Sequence, residues 1–180
     1  FCFQYVSISV NHVLRKSLEN AVQMEYKALT DDMTGAYNKN RLIELLNNRE
    51  RDGQDIAVIY WDVNQLKYVN DNWGHLCGDR LITEVAKTIQ SIAREEDIVI
   101  RYGGDEFLLY VANGTKEIAE QLIKTWKVRL EEEKKRENYE FPVSASVGYA
   151  LGKHSQLKDI IAAADKDMYA NKRIRRESAN

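Results

Sequence analysis

DIAVIYWDV, residues 55–63, is a nearly unbroken run of apolar and β-branched residues that closes on Asp62 and Val63. A strand with one face in water alternates polar and apolar residues, because successive side chains point to opposite faces. A run without that alternation is the pattern of a strand covered on both faces, so this stretch predicts a core strand. DIVIRY and EFLLYVA predict two antiparallel strands flanking Gly103 and Gly104, whose backbone freedom suits a tight connection. FPVSASVGYAL, residues 141–151, alternates well enough for a fourth strand.

Helical spacing accounts for most of the remainder. Leu14, Leu18, Ala21 and Ala28 form a thin stripe over residues 11–29, which suits a connecting or dimerising helix better than a core helix. Asn38 caps a second helix carrying Leu42, Leu45 and Leu46. A short helical piece is expected over 65–70, then an amphipathic helix over 79–93 with Leu81, Ile82, Val85, Ile89 and Ile92 facing inward. Further helices are expected from Thr115 to about Arg136 and from about Leu157 to Arg175. The resulting order is helix, helix, strand, helix, helix, strand, strand, helix, strand, helix. It predicts an α+β fold, an antiparallel-centred sheet of the split βαβ kind with helices covering one face, rather than a doubly wound sheet. The domain boundary is placed near Thr30, leaving 1–29 as a linker helix and 30–180 as one globular domain.

Composition narrows the function. The 26 basic and 28 acidic residues leave a formal charge of −2, so no general positive field draws the chain onto nucleic acid. The two cysteines, Cys2 and Cys77, form neither a disulfide framework nor a zinc cluster and fit a reducing, cytoplasmic setting. No GxxxxGK stretch supports a P-loop enzyme. FCFQYVSISV is too short to cross a bilayer by itself; it reads either as a helix or strand edge of this domain or as the inner end of a membrane segment, giving a membrane-anchored parent protein.

Charge placement is more informative. Asp62 closes the first strand while Asp105 and Glu106 open the third, so if those strands are neighbours the carboxylates converge at one end of the sheet. Acids so close repel one another unless a cation sits between them, and all-oxygen ligation suits Mg2+ or Mn2+. Gly103 and Gly104 alone describe an ordinary hairpin. Beside the acids they also allow a base or phosphate to approach the backbone. His75 alone reads as a buried histidine, and KRIRR alone as a basic helix end.

RYGGDEF, preceded by KYVNDNWGHLCGD and DDMTGAYNKN, resembles the GGDEF domain of bacterial diguanylate cyclases, over residues 31–176. The resemblance implies a ferredoxin-like palm related to class III nucleotidyl cyclases, and condensation of two GTP into cyclic di-GMP with release of two pyrophosphates. It implies two divalent ions per active site, held by Asp62, Asp105 and the Val63 carbonyl, with Asp105 or Glu106 helping to deprotonate the attacking hydroxyl. Asn70, His75 and Asp79 fall on substrate positions, with Asn70 and Asp79 at the guanine edge; Lys172 and Arg176 fall on triphosphate contacts. Arg94 and Asp97 match an RxxD product-inhibition site, with Arg101 expected nearby. The expected assembly is a homodimer controlled by an upstream sensor or membrane segment. Asn64, Gln65-Leu66, Ala36 and Arg175 depart from the family pattern. The competing expectations are a receptor module that binds GTP or cyclic di-GMP without catalysis, and a purely structural dimerisation domain.

Overall fold

A computed structural model describes residues 2–177, with side chains described at 14–174 and 177. Strand β1 (Asp55–Val63) lies between β3 (Glu106–Ala112) and β4 (Ala145–Lys153), and β2 (Ile98–Arg101) pairs with the outer side of β3. The order is β2-β3-β1-β4 with every pairing antiparallel. Around the sheet run α1 (Cys2–Leu29), α2 (Lys39–Asn47), α3 (Leu66–Trp73), α4 (His75–Gln90), α5 (Lys116–Glu137) and α6 (Leu157–Glu177). Helices and strands follow one another in the expected order.

Both faces of the sheet are covered, which corrects the expectation of helices on one face. The reason lies in β1, where both parities are apolar. Ala57, Ile59, Trp61 and Val63 join a core with α4 and α5, in which the Trp61 and Trp126 rings meet edge to face at 5.7 Å. Ile56, Val58 and Tyr60 join a second core with Leu42 and Leu45 of α2 and Ile160, Ala164 and Met168 of α6. Boundaries also shift. Gly74, at φ 85°, separates α3 from α4, so α4 starts at His75 instead of Asp79. β4 starts at Ala145 rather than at 141; Pro142, within the preceding stretch, has no N–H to give a ladder.

Parts of both outer edges of the sheet find partners. Tyr37 accepts from the Arg101 N–H at 2.7 Å and donates to the Val99 carbonyl at 2.9 Å, covering β2. On β4, the Tyr149 N–H donates to Asp167 at 3.0 Å and the Val147 carbonyl accepts from Asn171 at 3.1 Å, both partners coming from α6. Such capping satisfies groups that would otherwise recruit another strand. Beyond β4, buried His154 braces two elements, with Nδ1 3.0 Å from the Tyr110 hydroxyl and Nε2 2.9 Å from the Leu45 carbonyl of α2. Since a carbonyl only accepts, Nε2 donates to Leu45, and the Tyr110 hydroxyl can serve Nδ1 in either sense.

Helix α1 is continuous from Cys2, so residues 2–10 are helical, although their side chains, including that of Cys2, lie outside the described residues. Among the described residues no helix is long and apolar enough to cross a membrane. Leu14, Leu18, Val22, Met24 and Tyr26 are exposed on α1.

Close seating of α6 on β4 depends on Gly148, where an added Cβ would stand 2.0 Å from the Met168 backbone nitrogen. Since backbone cannot swing aside, Gly148→Ala is expected to lower stability by about 1–3 kcal/mol. Urea unfolding of the two proteins checks it.

Candidate active site

The β1–β3 register sets Asp62 directly opposite Glu106. Cross-strand partners project from one face with Cβ atoms about 4.5–5.5 Å apart, so these two carboxylates are neighbours. Each already has a partner. Lys172 of α6 places its ammonium on Asp62 Oδ1, both side chains being mostly buried. Tyr60, two residues before Asp62 on the same face, donates its hydroxyl to Glu106 Oε1 at 2.8 Å. Asp105 lies one residue before β3, its carbonyl accepting from the Val63 N–H at 2.9 Å. The register thus places Glu106, rather than Asp105, directly opposite Asp62.

Residues 102–105 connect β2 to β3, pinned by N–H groups of Tyr102 and Gly103 that both donate to the Glu106 carbonyl, at 2.8 and 3.2 Å. Neither glycine has a positive φ, so the expected need for backbone freedom is not what places them. At Gly103 the matter is space: a Cβ there would lie 2.2 Å from Glu106 Oε2 and 3.2 Å from its Cδ, and would have to push that carboxylate aside. At Gly104 a Cβ would meet nothing within 4 Å.

Arg101 ties this turn to the segment after α1. Its guanidinium donates to both Asp31 oxygens at 3.0 and 3.1 Å and to the Gly104 carbonyl at 2.7 Å. A cleft of about 500 Å³ opens here, lined by Asp31, Lys39, Arg101, Tyr102 and both glycines, among others. Burial pushes the Asp31 carboxyl up, but hydrogen bonds from Thr34 and Arg101 outweigh it and hold the group below its ordinary range.

The guanine-edge candidates gather at the α3–α4 elbow, which leaves β1 through Asn64 and Gln65. Asn70 packs on Gly78 so closely that a Cβ at Gly78 would fall 1.9 Å from Asn70 Oδ1. His75 and Asp79, four residues apart on α4, are exposed on one side of the helix. Asn64 is bonded to Ser144, just before β4, and to Ser146, the cross-strand neighbour of Asp62 on β4. Lys172 reaches the acidic corner; the Arg176 side chain lies outside the described residues.

Arg94 and Asp97 form a closed clasp. The Asp97 side chain is fully buried and accepts from the Arg94 backbone and guanidinium and from the Ala112 N–H, while Arg94 also donates to the Ala112 carbonyl. Arg101 is not beside this pair, contrary to expectation. The two lie at opposite ends of β2, and four residues of strand span about 13 Å.

Among the described residues no cluster of three or more His, Cys, Asp or Glu forms a ready metal cage. The corner nevertheless fits a magnesium-like ion, which takes few protein ligands and only oxygen. Asp62, Glu106 and the Val63 carbonyl are oxygen donors, and the Lys172 ammonium already stands in for a cation on Asp62.

The family model described as "Diguanylate cyclase, GGDEF domain" matches residues 28–178. The chain belongs to the GGDEF family. Over 167 residues this GGDEF domain is 33% identical to "Probable diguanylate cyclase DgcJ" of Escherichia coli K12, spanning 86% of the chain and 33% of that protein. It is 34% identical over 149 residues to the cyclic di-GMP phosphodiesterase PdeR of the same strain, spanning 81% of the chain and 22% of that protein. The chain thus spans a third or less of these two relatives. Two structures of DgcB from Caulobacter crescentus in complex with c-di-GMP resemble it. The coiled coil with GGDEF domain gives a TM-score of 0.77 at 24% identity, covering 96% of this chain and 95% of that one. The GGDEF domain alone gives 0.69 at 28% identity, covering 81% and 91%.

Sequence reading missed Tyr60 and Asp31 as parts of this site. Tyr60 offered one signal, a hydroxyl inside an apolar run two residues from an acid; Asp31 offered a carboxylate in a turn, without any hint of its distant arginine.

Two outcomes follow from this geometry. Gly103→Ala should displace the Glu106 carboxylate and change divalent-ion binding, whereas Gly104→Ala should leave it near wild type; Mn2+ titration of both variants compares them. Because the Asp31 pKa is lower folded than unfolded, its stabilisation is complete above the ordinary value of 3.8 and is lost as pH falls toward the folded value. Relative to Asp31→Asn, the wild type should therefore lose stability on acidification through that window, read by urea unfolding at successive pH values.

Proposed function

We propose that this domain is a diguanylate cyclase, joining two GTP into cyclic di-GMP with release of two pyrophosphates, as a two-fold homodimer with one GTP on each domain. The carrying observation is the pairing of Asp62 with Glu106 at a strand end beside a glycine turn. Relatives named as diguanylate cyclases support the same reading.

Asp62, the Val63 carbonyl and the acids of the turn would hold two Mg2+ or Mn2+ ions, which when bound lower the pKa of a coordinated hydroxyl and neutralise charge on the phosphoryl group. Asn70 and Asp79 receive the guanine edge, where an Asp acceptor suits the adjacent N1–H and 2-amino donors. Gly104, with open space at its Cα, lets a phosphate approach the backbone. Lys172 exchanges Asp62 for the triphosphate, joined by Arg176 one turn further along α6.

In the reaction the 3'-hydroxyl oxygen of one GTP bonds to the α-phosphorus of the other, and the bond from that phosphorus to pyrophosphate breaks. The hydroxyl proton goes to Asp105, since Glu106 already accepts from Tyr60 and stands beside Asp62. Repeated in the opposite sense, the step closes a symmetric ring, which is why two-fold association suits it. Exposed apolar residues on α1 offer the surface for that association. Product inhibition through Arg94 and Asp97 would require cyclic di-GMP to compete with the closed clasp, whose Asp97 side is fully buried with its hydrogen bonds satisfied.

The test is incubation with GTP and Mg2+ followed by chromatography of the nucleotide and assay of pyrophosphate. Wild type should form cyclic di-GMP with turnover per domain that rises with protein concentration, and Asp105→Asn should lose at least about 100-fold, the lower range for a positioned base. GTP binding without pyrophosphate release would make the domain a receptor instead.

A further inference from the structure

Tyr60 is 3% exposed, and its ring packs in the core between the sheet and α6. A tyrosine there is an unusual choice for packing alone, because its hydroxyl must find a partner inside a cluster of Val, Ile, Leu and Met. The partner it finds is Glu106 Oε1, at 2.8 Å. The carboxylate's other oxygen, Oε2, lies over Gly103, occupying the space a Cβ would take. The tyrosine is itself held, with the Tyr102 ring meeting it edge-on at 5.9 Å and the Lys39 ammonium lying 4.9 Å from the Tyr102 ring centre. The two oxygens of Glu106 are therefore not equivalent. One is engaged by a buried donor and the other faces the turn.

We propose that Tyr60 is a positioning residue for the acidic corner: its hydroxyl holds Glu106 Oε1 so that Oε2 alone is presented to a divalent cation beside Asp62. Glu106 thereby acts as a one-oxygen ligand with a fixed direction. This rests on the reading of Asp62 and Glu106 as the cation-binding pair. The physical case is that of any ligand oriented by a second hydrogen bond: without that bond the carboxylate rotates, samples two-oxygen contact, and loses the geometry that aligns a bound nucleotide.

Tyr60→Phe removes the hydroxyl and keeps the ring in its cluster. Three measurements are made on the whole chain: thermal unfolding, Mn2+ binding in the presence of a non-hydrolysable GTP analogue, read from the electron paramagnetic resonance of free Mn2+, and steady-state pyrophosphate release with GTP and Mn2+. The expected result is an unfolding midpoint close to wild type, Mn2+ affinity and kcat each reduced about tenfold, and KM for GTP nearly unchanged. Combining Tyr60→Phe with Glu106→Gln should add no further loss. If Tyr60→Phe matches wild type in affinity and kcat while Glu106→Gln abolishes both, the corner reading stands and the role of Tyr60 is overturned. If Glu106→Gln itself binds Mn2+ and turns over normally, the corner reading fails and takes this proposal with it. A fall in unfolding midpoint with unchanged Mn2+ affinity would reduce Tyr60 to a packing residue and also overturn it.

Discussion

Backbone pairing between β1 and β3 forces two carboxylates into adjacent positions, and much of the site is organised around the resulting repulsion. Two unit charges about 5 Å apart repel by about 3 kcal/mol at an effective dielectric near 20. Here the repulsion is met from two sides. An ammonium arrives from α6 onto Asp62, and a phenol from within β1 onto Glu106. Neither donor is close in sequence to the acid it serves except by strand register or helix docking. A fault in either packing interaction would be felt as a charge problem at the strand end.

Glycines make these approaches available by being small. Gly103 gives room for the Glu106 carboxylate, Gly78 admits Asn70 against α4, and Gly148 lets the α6 backbone settle on β4. In each case the missing Cβ belongs to a position where a functional side chain, or the helix that carries one, comes closest to the scaffold. Gly104 differs. An added Cβ there would meet nothing within 4 Å, as at Gly53 and Gly74, so its small size is not needed for packing.

How much of this could be read beforehand follows from the range of each interaction. The order of ten helices and strands was legible because hydrophobic periodicity is local. The meeting of Asp62 with the acidic turn was legible because strand ends and a hairpin bound its geometry. Coverage of both sheet faces was present in the unalternating run of β1 and was understated when the helices were assigned to one face. Arg101 was misplaced because a motif position was read without its strand: RxxD and Arg101 are close in number but sit at opposite ends of β2. Tyr60, His154 and Asp31 were missed for a common reason. Each is defined by a partner 40 or more residues away, Glu106, Tyr110 and Arg101 respectively, and no local pattern marks such a pair.

The covered sheet edges bear on how two copies could meet. Extending the ladder would require free N–H and C=O groups along β2 or β4, but Tyr37 occupies the first edge and Asp167 and Asn171 the second. Releasing them would expose polar groups on both partners before any new bond formed. Association by strand addition is thus disfavoured where these groups sit, which turns attention to helical surfaces and the acidic corner. Exposed apolar positions lie on α1, and the proposed reaction between two nucleotides would use the corner. Keeping the two apart in the fold would let one surface set how often the other is brought face to face with its copy.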